Sequence, residues 1–194
     1  MSAAAPDRLY FTEDDEANRL IATDPFALLV GFALDQQITV QQAFAGPLRI
    51  KQRAGTLDPK TLAQTDLEPV FREKPAVHRF PGSMAARIQA LARVVVEEYD
   101  GHAERLWQEA GSGRELMRRL QALPGFGKQK AQIFTALLGK QLDVRPEGWQ
   151  EAAGDYAEPG SHRSVADVVD QESLDRVRSF KKQTKAAARE AAPS

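Results

Sequence analysis

The sequence contains no cysteine. Disulfides, thiolate nucleophiles, cysteine-based zinc sites and iron–sulfur clusters are therefore all excluded. Histidine is scarce as well, because only His78, His102 and His162 are present and their separations fit no metal-ligand motif. We interpret these histidines as surface or core residues, and the sequence predicts no metal site.

Long apolar runs and an excess of charge are also missing. The chain has no uninterrupted apolar stretch of about 18 residues and no signal-like N-terminus, which predicts a cytoplasmic protein with no membrane partner. Its 26 Lys and Arg residues nearly balance 27 Asp and Glu residues, giving a formal net charge of −1. A uniformly basic coat is thereby excluded, so any nucleic-acid contact requires a local basic face.

Two segments have strong helical patterns. Residues 26–34 are nearly all apolar, which predicts a central buried helix that begins after Asp24 and ends near Asp35. Residues 84–99 have apolar side chains at helical spacing, and Ser83 precedes them as a predicted N-cap. With 194 residues, of which 42% are hydrophobic, the chain can form one well-packed domain.

Residues 120–139 predict the end of one helix, a tight turn and the start of another helix. Gly125 and Gly127 can adopt positive φ at no steric cost, and Pro124 fixes the entry into the turn. Apolar residues then recur at helical spacing, and Gly139 stands where a C-terminal glycine would end the helix.

This turn offers unobstructed backbone N–H groups at a helix N-terminus, which suits a phosphate group. Basic residues are predicted to surround the turn, namely Arg118, Arg119, Lys128, Lys130 and Lys140. An ordinary pair of antiparallel helices, in which the glycines serve only the turn, would show the same pattern of glycines.

The string Leu123-Pro124-Gly125-Phe126-Gly127-Lys128 resembles the hairpin of the helix-hairpin-helix (HhH-GPD) DNA glycosylase superfamily. Residues 28–43 and 82–101 are similar to two further segments of that family, in the expected order. The resemblance implies an all-α fold with two packed helical lobes in one domain, residues 1–180, followed by a basic helix end or tail, residues 181–194. It also implies that Pro124, Gly125, Gly127, Lys128 and Lys130 bind DNA.

The same resemblance assigns roles to residues outside the hairpin. Gln36 and Gln37 match a glutamine pair in a turn that faces DNA, where one glutamine fills the gap left by a flipped-out nucleotide. We leave the two unranked, and a polar pair that only stabilises its own loop fits the residues equally well. A monovalent cation bound by the hairpin carbonyls is a further implication of the family resemblance.

The family also has an aspartate after the hairpin helix, which stabilises positive charge on the sugar and can activate water. We predict Asp143 for this role because an apolar residue precedes it, as in the family pattern. Glu147, Asp167 and Asp170 are the alternatives, and a protein without any suitable acid would bind DNA without cleaving the glycosidic bond. Asp143 as a simple loop residue fits its position equally well.

Two departures from the family limit the expected chemistry. The absence of cysteine removes the iron–sulfur cluster of the endonuclease III branch, so we predict no such cofactor. Gln129 occupies the position at which strand-cleaving members carry a nucleophilic lysine, whereas Lys128 and Lys130 lie about 100° to either side on a helix. Lyase activity is therefore not expected.

The resemblance thus predicts a monomeric base-excision repair glycosylase that acts on damaged double-stranded DNA. A non-catalytic protein that binds damaged, bent or abasic DNA is the main alternative, and a helical interaction module with no nucleic-acid role is another. Residues 145–163 have no recognised counterpart in the family. Trp149 and Tyr156 in this segment could stack on an extruded base or belong to the core.

Overall fold

The computed structural model describes residues 5–193, and that part of the chain is all-α. It contains no strand, and one isolated bridge joins Ser112 to Glu147. Two 3₁₀ helices span Gly154–Ala157 and Val165–Asp167. The α-helices are α1 (Asp15–Thr23), α2 (Pro25–Leu34), α3 (Val40–Ala54), α4 (Pro59–Leu62), α5 (Glu68–Arg72), α6 (Pro81–Tyr99), α7 (Arg105–Gln108), α8 (Gly113–Gln121), α9 (Lys128–Gln141), α10 (Trp149–Ala153) and α11 (Gln171–Ala191).

Helix α2 lies at the centre of the molecule, as its composition predicts. The Asp24 carboxylate accepts hydrogen bonds from the N–H groups of Phe26 and Ala27, and Pro25 supplies the fixed φ of a first helical residue. Every residue from 26 to 34 is buried. A helix that is apolar on all sides must be covered on all sides, so the other helices pack around it.

Aromatic contacts in the core connect two groups of helices. Phe32 on α2 makes an edge contact with Phe44 on α3, at 5.3 Å between ring centroids. The same ring contacts Phe134 on α9 at 4.8 Å, and Trp107 reaches Phe134 at 5.4 Å. Helices α1, α2 and α3 pack against one another, and α8, α9 and α10 form the second packed group.

Two helix boundaries differ from the sequence prediction. Helix α6 begins at Pro81 instead of Met84, because proline suits the first helical position, and Ser83 lies within the first turn. Helix α9 continues to Gln141 instead of ending at Gly139. Gly139 is needed for packing: a Cβ there would lie 2.3 Å from the ring of Trp149.

The C-terminal part of the described chain is the long helix α11, which continues through the predicted boundary between residues 180 and 181. The division at that boundary stays a prediction, and residues 1–4 and 194 lie outside the described residues. Across residues 5–193, no helix by itself has the length and apolar character to cross a membrane, although the sharply bent pair α1 and α2 meets that test together by length and composition.

Candidate nucleic-acid interface

The turn between α8 and α9 is a tight hairpin built on backbone hydrogen bonds. The N–H of Leu123 donates to the carbonyl of Leu120 at 3.0 Å, and the N–H of Phe126 donates to the carbonyl of Leu123 at 3.1 Å. Leu123 and Phe126 are buried and anchor the turn, and Gly125 takes the left-handed conformation with φ of 81°. Leu123 before the glycines and Phe126 between them thus fix the hairpin to the core.

Gly127 has a different role from the one its residue type suggests. Its φ is −86°, which any residue can adopt, so only Gly125 needs positive φ in this turn. A Cβ at Gly127 would meet no atom within 4 Å, because the residue faces open space as the N-cap of α9. The absence of a side chain there leaves the first N–H groups of α9 accessible, as an anion site requires.

Arg87 on α6 connects this hairpin to the glutamine turn. Its guanidinium donates to the side-chain oxygen of Gln36 at 2.6 Å. Its side chain also lies beneath Gly125, where a Cβ would come within 2.8 Å of the Arg87 Cδ. Sequence reasoning missed this arginine, since the helical pattern of α6 identifies it only as a polar position.

The glutamine turn is held by the buried side chain of His78. The His78 Nε2 lies 3.1 Å from the carbonyl oxygen of Leu34 and 3.0 Å from that of Gln36, while Nδ1 accepts from the N–H of Phe80 at 2.9 Å. This arrangement assigns the ring proton to Nε2. Burial lowers the pKa of His78, so the imidazole is held in its neutral form.

Gln36 and Gln37 both have exposed side chains at the end of α2. Gln37 adopts a positive φ of 59°, which is uncommon for a residue with a side chain. Arg87 links the Gln36 side chain to the hairpin, and both glutamines are exposed beside this contact. We expect one of the two glutamines to enter the DNA, and we rank neither above the other.

A cavity of about 570 Å³ opens beside the hairpin. Its walls come from the end of α2, the first turn of α9, the 3₁₀ helix Gly154–Ala157 and the second half of α11. A volume of this size falls within the usual range for small-ligand sites. The polar and aromatic residues that line it include Asp35, Lys130, Tyr156, Arg163, Phe180 and Lys181.

Asp35 is the most deeply desolvated acid of this cavity. Burial raises the pKa of its carboxyl group above the usual value, while Lys181 and Lys130 act in the opposite direction. Burial likewise lowers the pKa of the Lys130 ammonium, and Asp35 opposes that change. Within residues 5–193, neither side chain has a salt-bridge partner within 4.0 Å. Such desolvated pairs are typical of functional sites.

The chain after α9 returns along that helix to the hairpin end. Trp149 packs against Gly139, the amide of Gln132 donates to the carbonyl of Ala152 at 3.4 Å, and the amide of Gln129 donates to the Tyr156 hydroxyl at 2.9 Å. Trp149 is thus a packing residue at the far end of α9. Tyr156, in contrast, lines the cavity, and its stacking on a base stays a prediction.

The structure does not bring Asp143 to the hairpin. It follows the C-terminal end of α9, and the 14 residues of that helix separate its two ends by about 20 Å at 1.5 Å per residue. The carboxylate lies 3.6 Å from the Arg145 guanidinium. Asp143 also has positive φ, 57°, which suits a residue that turns the chain after a helix.

The other acids named from sequence lie at the same far end. The backbone carbonyl of Glu147 accepts from the N–H of Gly113, at the start of α8. Asp167 is almost fully buried and binds Lys140 at 2.6 Å, and Asp170 caps α11 through the N–H of Ser173. The carboxylates of Asp167 and Asp170 thus have structural partners, and Glu147 is held by its backbone away from the hairpin. Asp35, in contrast, was interpreted from the sequence only as a helix end.

The predicted basic cluster is smaller than expected. Lys140 is in the last turn of α9 and paired with Asp167, so it does not surround the hairpin. Arg119 folds back to bind Glu115 at 2.7 Å and the carbonyl of Leu106 at 3.1 Å. Lys128 and Arg118 remain exposed near the turn. Spacing along a helix cannot show which cations are already paired.

A second, larger cavity of about 700 Å³ surrounds the Lys140–Asp167 pair. Its principal charged groups have partners already, since Arg176 also binds Glu172. We therefore favour the smaller cavity as the candidate site despite its lower volume. Among residues 5–193, no group of three or more histidine, aspartate or glutamate side chains could hold a metal ion.

The carbonyl of Leu123 accepts the N–H of Phe126 and keeps a second lone pair, so it is an oxygen that the hairpin could offer to a monovalent cation. The cation itself stays a prediction.

Comparison with known proteins agrees with the geometry of the hairpin. No curated protein and no solved structure matches the chain. The family model described as HhH-GPD superfamily base excision DNA repair protein matches residues 30–193, which include the glutamine turn, the hairpin and the cavity residues on α11. Since this match covers most of the chain, the protein belongs to the HhH-GPD superfamily of base excision DNA repair proteins, whose members bind DNA.

Proposed function

We propose that the protein is a DNA glycosylase that hydrolyses the N-glycosidic bond of a damaged base in double-stranded DNA. The observation that carries this proposal is the cavity beside the hairpin, into which the desolvated carboxyl group of Asp35 faces. A DNA-binding hairpin would hold the backbone, and the neighbouring cavity would receive the extruded base. Gln36 or Gln37 would fill the gap in the duplex.

We assign the catalytic carboxylate to Asp35 instead of Asp143. Cleavage of a glycosidic bond develops positive charge on the sugar, and a nearby carboxylate stabilises that charge. The raised pKa of Asp35 also makes it a better acceptor for the proton of the attacking water. Asp143, at the opposite end of α9, is too remote from the hairpin to act on the same nucleotide.

Hydrolysis without strand cleavage follows from the residue at position 129. Gln129 has no amine, and its amide is engaged with the Tyr156 hydroxyl. A glutamine cannot form the imine with the sugar that strand cleavage requires. The proposed product is therefore an intact strand with an abasic site, and the proposed enzyme is monofunctional.

The first experiment measures alkali-induced strand scission on labelled duplexes that contain uracil, hypoxanthine, alkylated purines, oxidised bases or an abasic site. Wild type is compared with Asp35→Asn and Asp143→Asn under single-turnover conditions. We expect Asp35→Asn to lower the rate of base release by about 100-fold or more, because general-base catalysis contributes on that scale. Asp143→Asn should change the rate by less than about threefold.

A large loss of base release in Asp143→Asn, with little loss in Asp35→Asn, would instead assign the catalytic role to Asp143. Asp155→Asn is the matched control, because Asp155 also lines the cavity but is exposed. Circular dichroism and thermal unfolding of each variant would show that a loss of activity does not result from unfolding.

A non-catalytic binder of damaged or abasic DNA is the second candidate. The remoteness of Asp143, which stands closest to the family's acid in sequence pattern, favours this alternative. Such a protein would bind lesion-containing duplexes with equal affinity in wild type and Asp35→Asn, and it would release no base.

Size-exclusion chromatography with light scattering would test the predicted monomer in the same samples.

A further inference from the structure

The cavity beside the hairpin carries more positive than negative groups. Four cationic side chains line it, namely Lys130, Arg163, Lys181 and Lys185, against the two acids Asp35 and Asp155. Aromatic rings of Phe32, Tyr156 and Phe180 form part of the same walls. A neutral or electron-rich flat ligand fits such a cavity, whereas a cationic ligand would be repelled.

Lys130 lies where the cavity meets the hairpin. It is in the first turn of α9, and its ammonium nitrogen lies 5.9 Å from the centroid of the Phe126 ring in the hairpin. No carboxylate within residues 5–193 lies close enough to pair with it as a salt bridge. Burial lowers the pKa of this amine, so its ammonium form gives up a proton more readily than an exposed lysine does. In the free protein, Asp35 offsets this desolvation in part from a distance, without a salt bridge.

The charge on the departing base distinguishes two classes of damaged nucleotide. A purine made cationic by alkylation carries its positive charge into the cavity and leaves as a neutral molecule, so it needs no help from a cation. A neutral base with lactam groups, such as uracil or hypoxanthine, leaves with the electron pair of the broken bond. It departs as an anion unless a proton is supplied, and a half-buried ammonium beside it, such as that of Lys130, stabilises that anion.

We propose that the base received by this cavity is a neutral lactam base that leaves as an anion, and that Lys130 stabilises its departure. This inference rests on the glycosylase proposed above. The bond between C1′ and the base nitrogen breaks, and its electron pair stays on the base. The Lys130 ammonium donates a proton to the departing base, while a water oxygen bonds to C1′ and its proton passes to Asp35. Transfer of that proton back to Lys130 restores both groups.

The experiment uses a series of leaving groups in otherwise identical duplexes. Single-turnover release is measured for uracil and for 5-fluorouracil, whose electron-withdrawing fluorine makes the departing anion more stable. Lys130→Gln should lose about 100-fold on uracil and much less on 5-fluorouracil, because the better leaving group depends less on the ammonium. Lys130→Arg keeps the positive charge and should recover part of the difference.

Lys128→Gln is the matched control on the same turn of α9. Lys128 is exposed and does not line the cavity, so its loss should weaken both substrates by the same factor through DNA affinity. A merely structural role of Lys130 would likewise lower both rates equally. Equal losses in Lys130→Gln would therefore overturn the inference.

A duplex that contains 7-methylguanine separates this inference from the proposed function. We expect uracil or hypoxanthine to be released at least about tenfold faster than 7-methylguanine. Faster release of the cationic purine would overturn the inference and leave the glycosylase intact. Failure to release any base from any duplex would overturn the glycosylase itself, and the inference with it.

Discussion

The two ends of helix α9 carry similar charged residues in opposite states. At the C-terminal end, Lys140 binds Asp167 at 2.6 Å, and the Arg145 guanidinium donates to the carbonyl of Gly139 at 2.8 Å. At the N-terminal end, Lys130 and Asp35 line a cavity with no salt bridge to any residue in the described part of the chain. Charged residues on one helix thus serve structure at one end and remain available at the other.

This difference distinguishes charged residues that stabilise the fold from charged residues that are available to bind a ligand, even when the ligand is unknown. Burying a charge costs free energy, and a close partner of opposite charge offsets most of that cost. Asp167 provides the partner for Lys140, and it also accepts from the Ser161 hydroxyl and the Arg163 N–H. Asp35 and Lys130 affect each other's pKa without direct contact, so a bound ligand can still offset their desolvation.

Removal of the Lys140–Asp167 ion pair, at the C-terminal end of α9, should have a greater effect on stability than any other change considered below. Asp167→Ala should lower the free energy of unfolding by about 3–5 kcal/mol, because the largely buried Lys140 ammonium would keep the Glu158 carbonyl but lose the opposite charge that offsets its burial. Lys130→Ala, at the other end, should lower it by less than about 1 kcal/mol. Urea unfolding of both variants measures the difference. Equal destabilisation by Asp167→Ala and Lys130→Ala would show that the charges at both ends of α9 contribute equally to stability.

Gly127, the N-cap of α9, and Gly139, within the helix, provide a second contrast. Gly139→Ala should cost about 1–3 kcal/mol of stability, because its Cβ would overlap the Trp149 ring, 2.3 Å away. Gly127→Ala should change stability by less than about 0.5 kcal/mol, because its Cβ would face open space. It should nevertheless weaken binding to duplex DNA, since the added methyl group would stand in front of the N–H groups of α9.

Thermal unfolding and fluorescence titration with DNA would measure the two glycine effects on the same samples. A DNA affinity of Gly127→Ala equal to that of wild type would show that the first N–H groups of α9 do not bind phosphate. Normal stability in Gly139→Ala would show that Trp149 can move away from the helix at little cost.

A smaller effect is expected in the salt dependence of DNA binding. Lys128→Gln should reduce the slope of log affinity against log salt by about 0.9, the value for one lost phosphate contact with duplex DNA. Lys60→Gln is the control, because Lys60 lies beside Asp100 at the opposite end of α6 from Arg87. Its slope should match that of wild type, and an equal reduction in both variants would indicate diffuse attraction.

The smallest expected effect concerns pH and the glutamine turn. Burial lowers the pKa of His78, so below its ordinary value of 6.5 the unfolded chain binds a proton that the folded chain does not. The contribution of His78 to the free energy of unfolding is therefore complete above that value and decreases as the pH falls. His78→Gln cannot titrate at this position, and its unfolding free energy should change less between about pH 8 and pH 5. Identical profiles would contradict the assignment of a neutral, buried imidazole.

The hairpin and the buried helix could be predicted because their signals are local. The all-apolar run in residues 26–34 admits few arrangements other than a fully covered helix, and the structure confirms it. The string around Gly125 and Gly127 specifies a tight turn before a helix, and the family match agrees with it. The two glycines nevertheless have different functions, since their neighbours in space and not their residue type set φ.

The site side chains could not be predicted because they meet through tertiary packing. Asp35 and Lys130 are 95 positions apart in number, and only the packing of α2 against α9 brings them to one cavity. Arg87 and His78 fix the glutamine turn from two further parts of the chain. Sequence spacing places Asp143 close to the family pattern, yet the length of α9 carries it to the opposite end.

Local sequence features are enough to predict the all-α class, the hairpin and the family, because short-range periodicity, backbone freedom at glycine and a specific string of residues carry that information. The pairing of charges, and their placement in a cavity, follow from packing. They depend on desolvation and on distances between residues far apart in the chain, and local spacing encodes neither quantity.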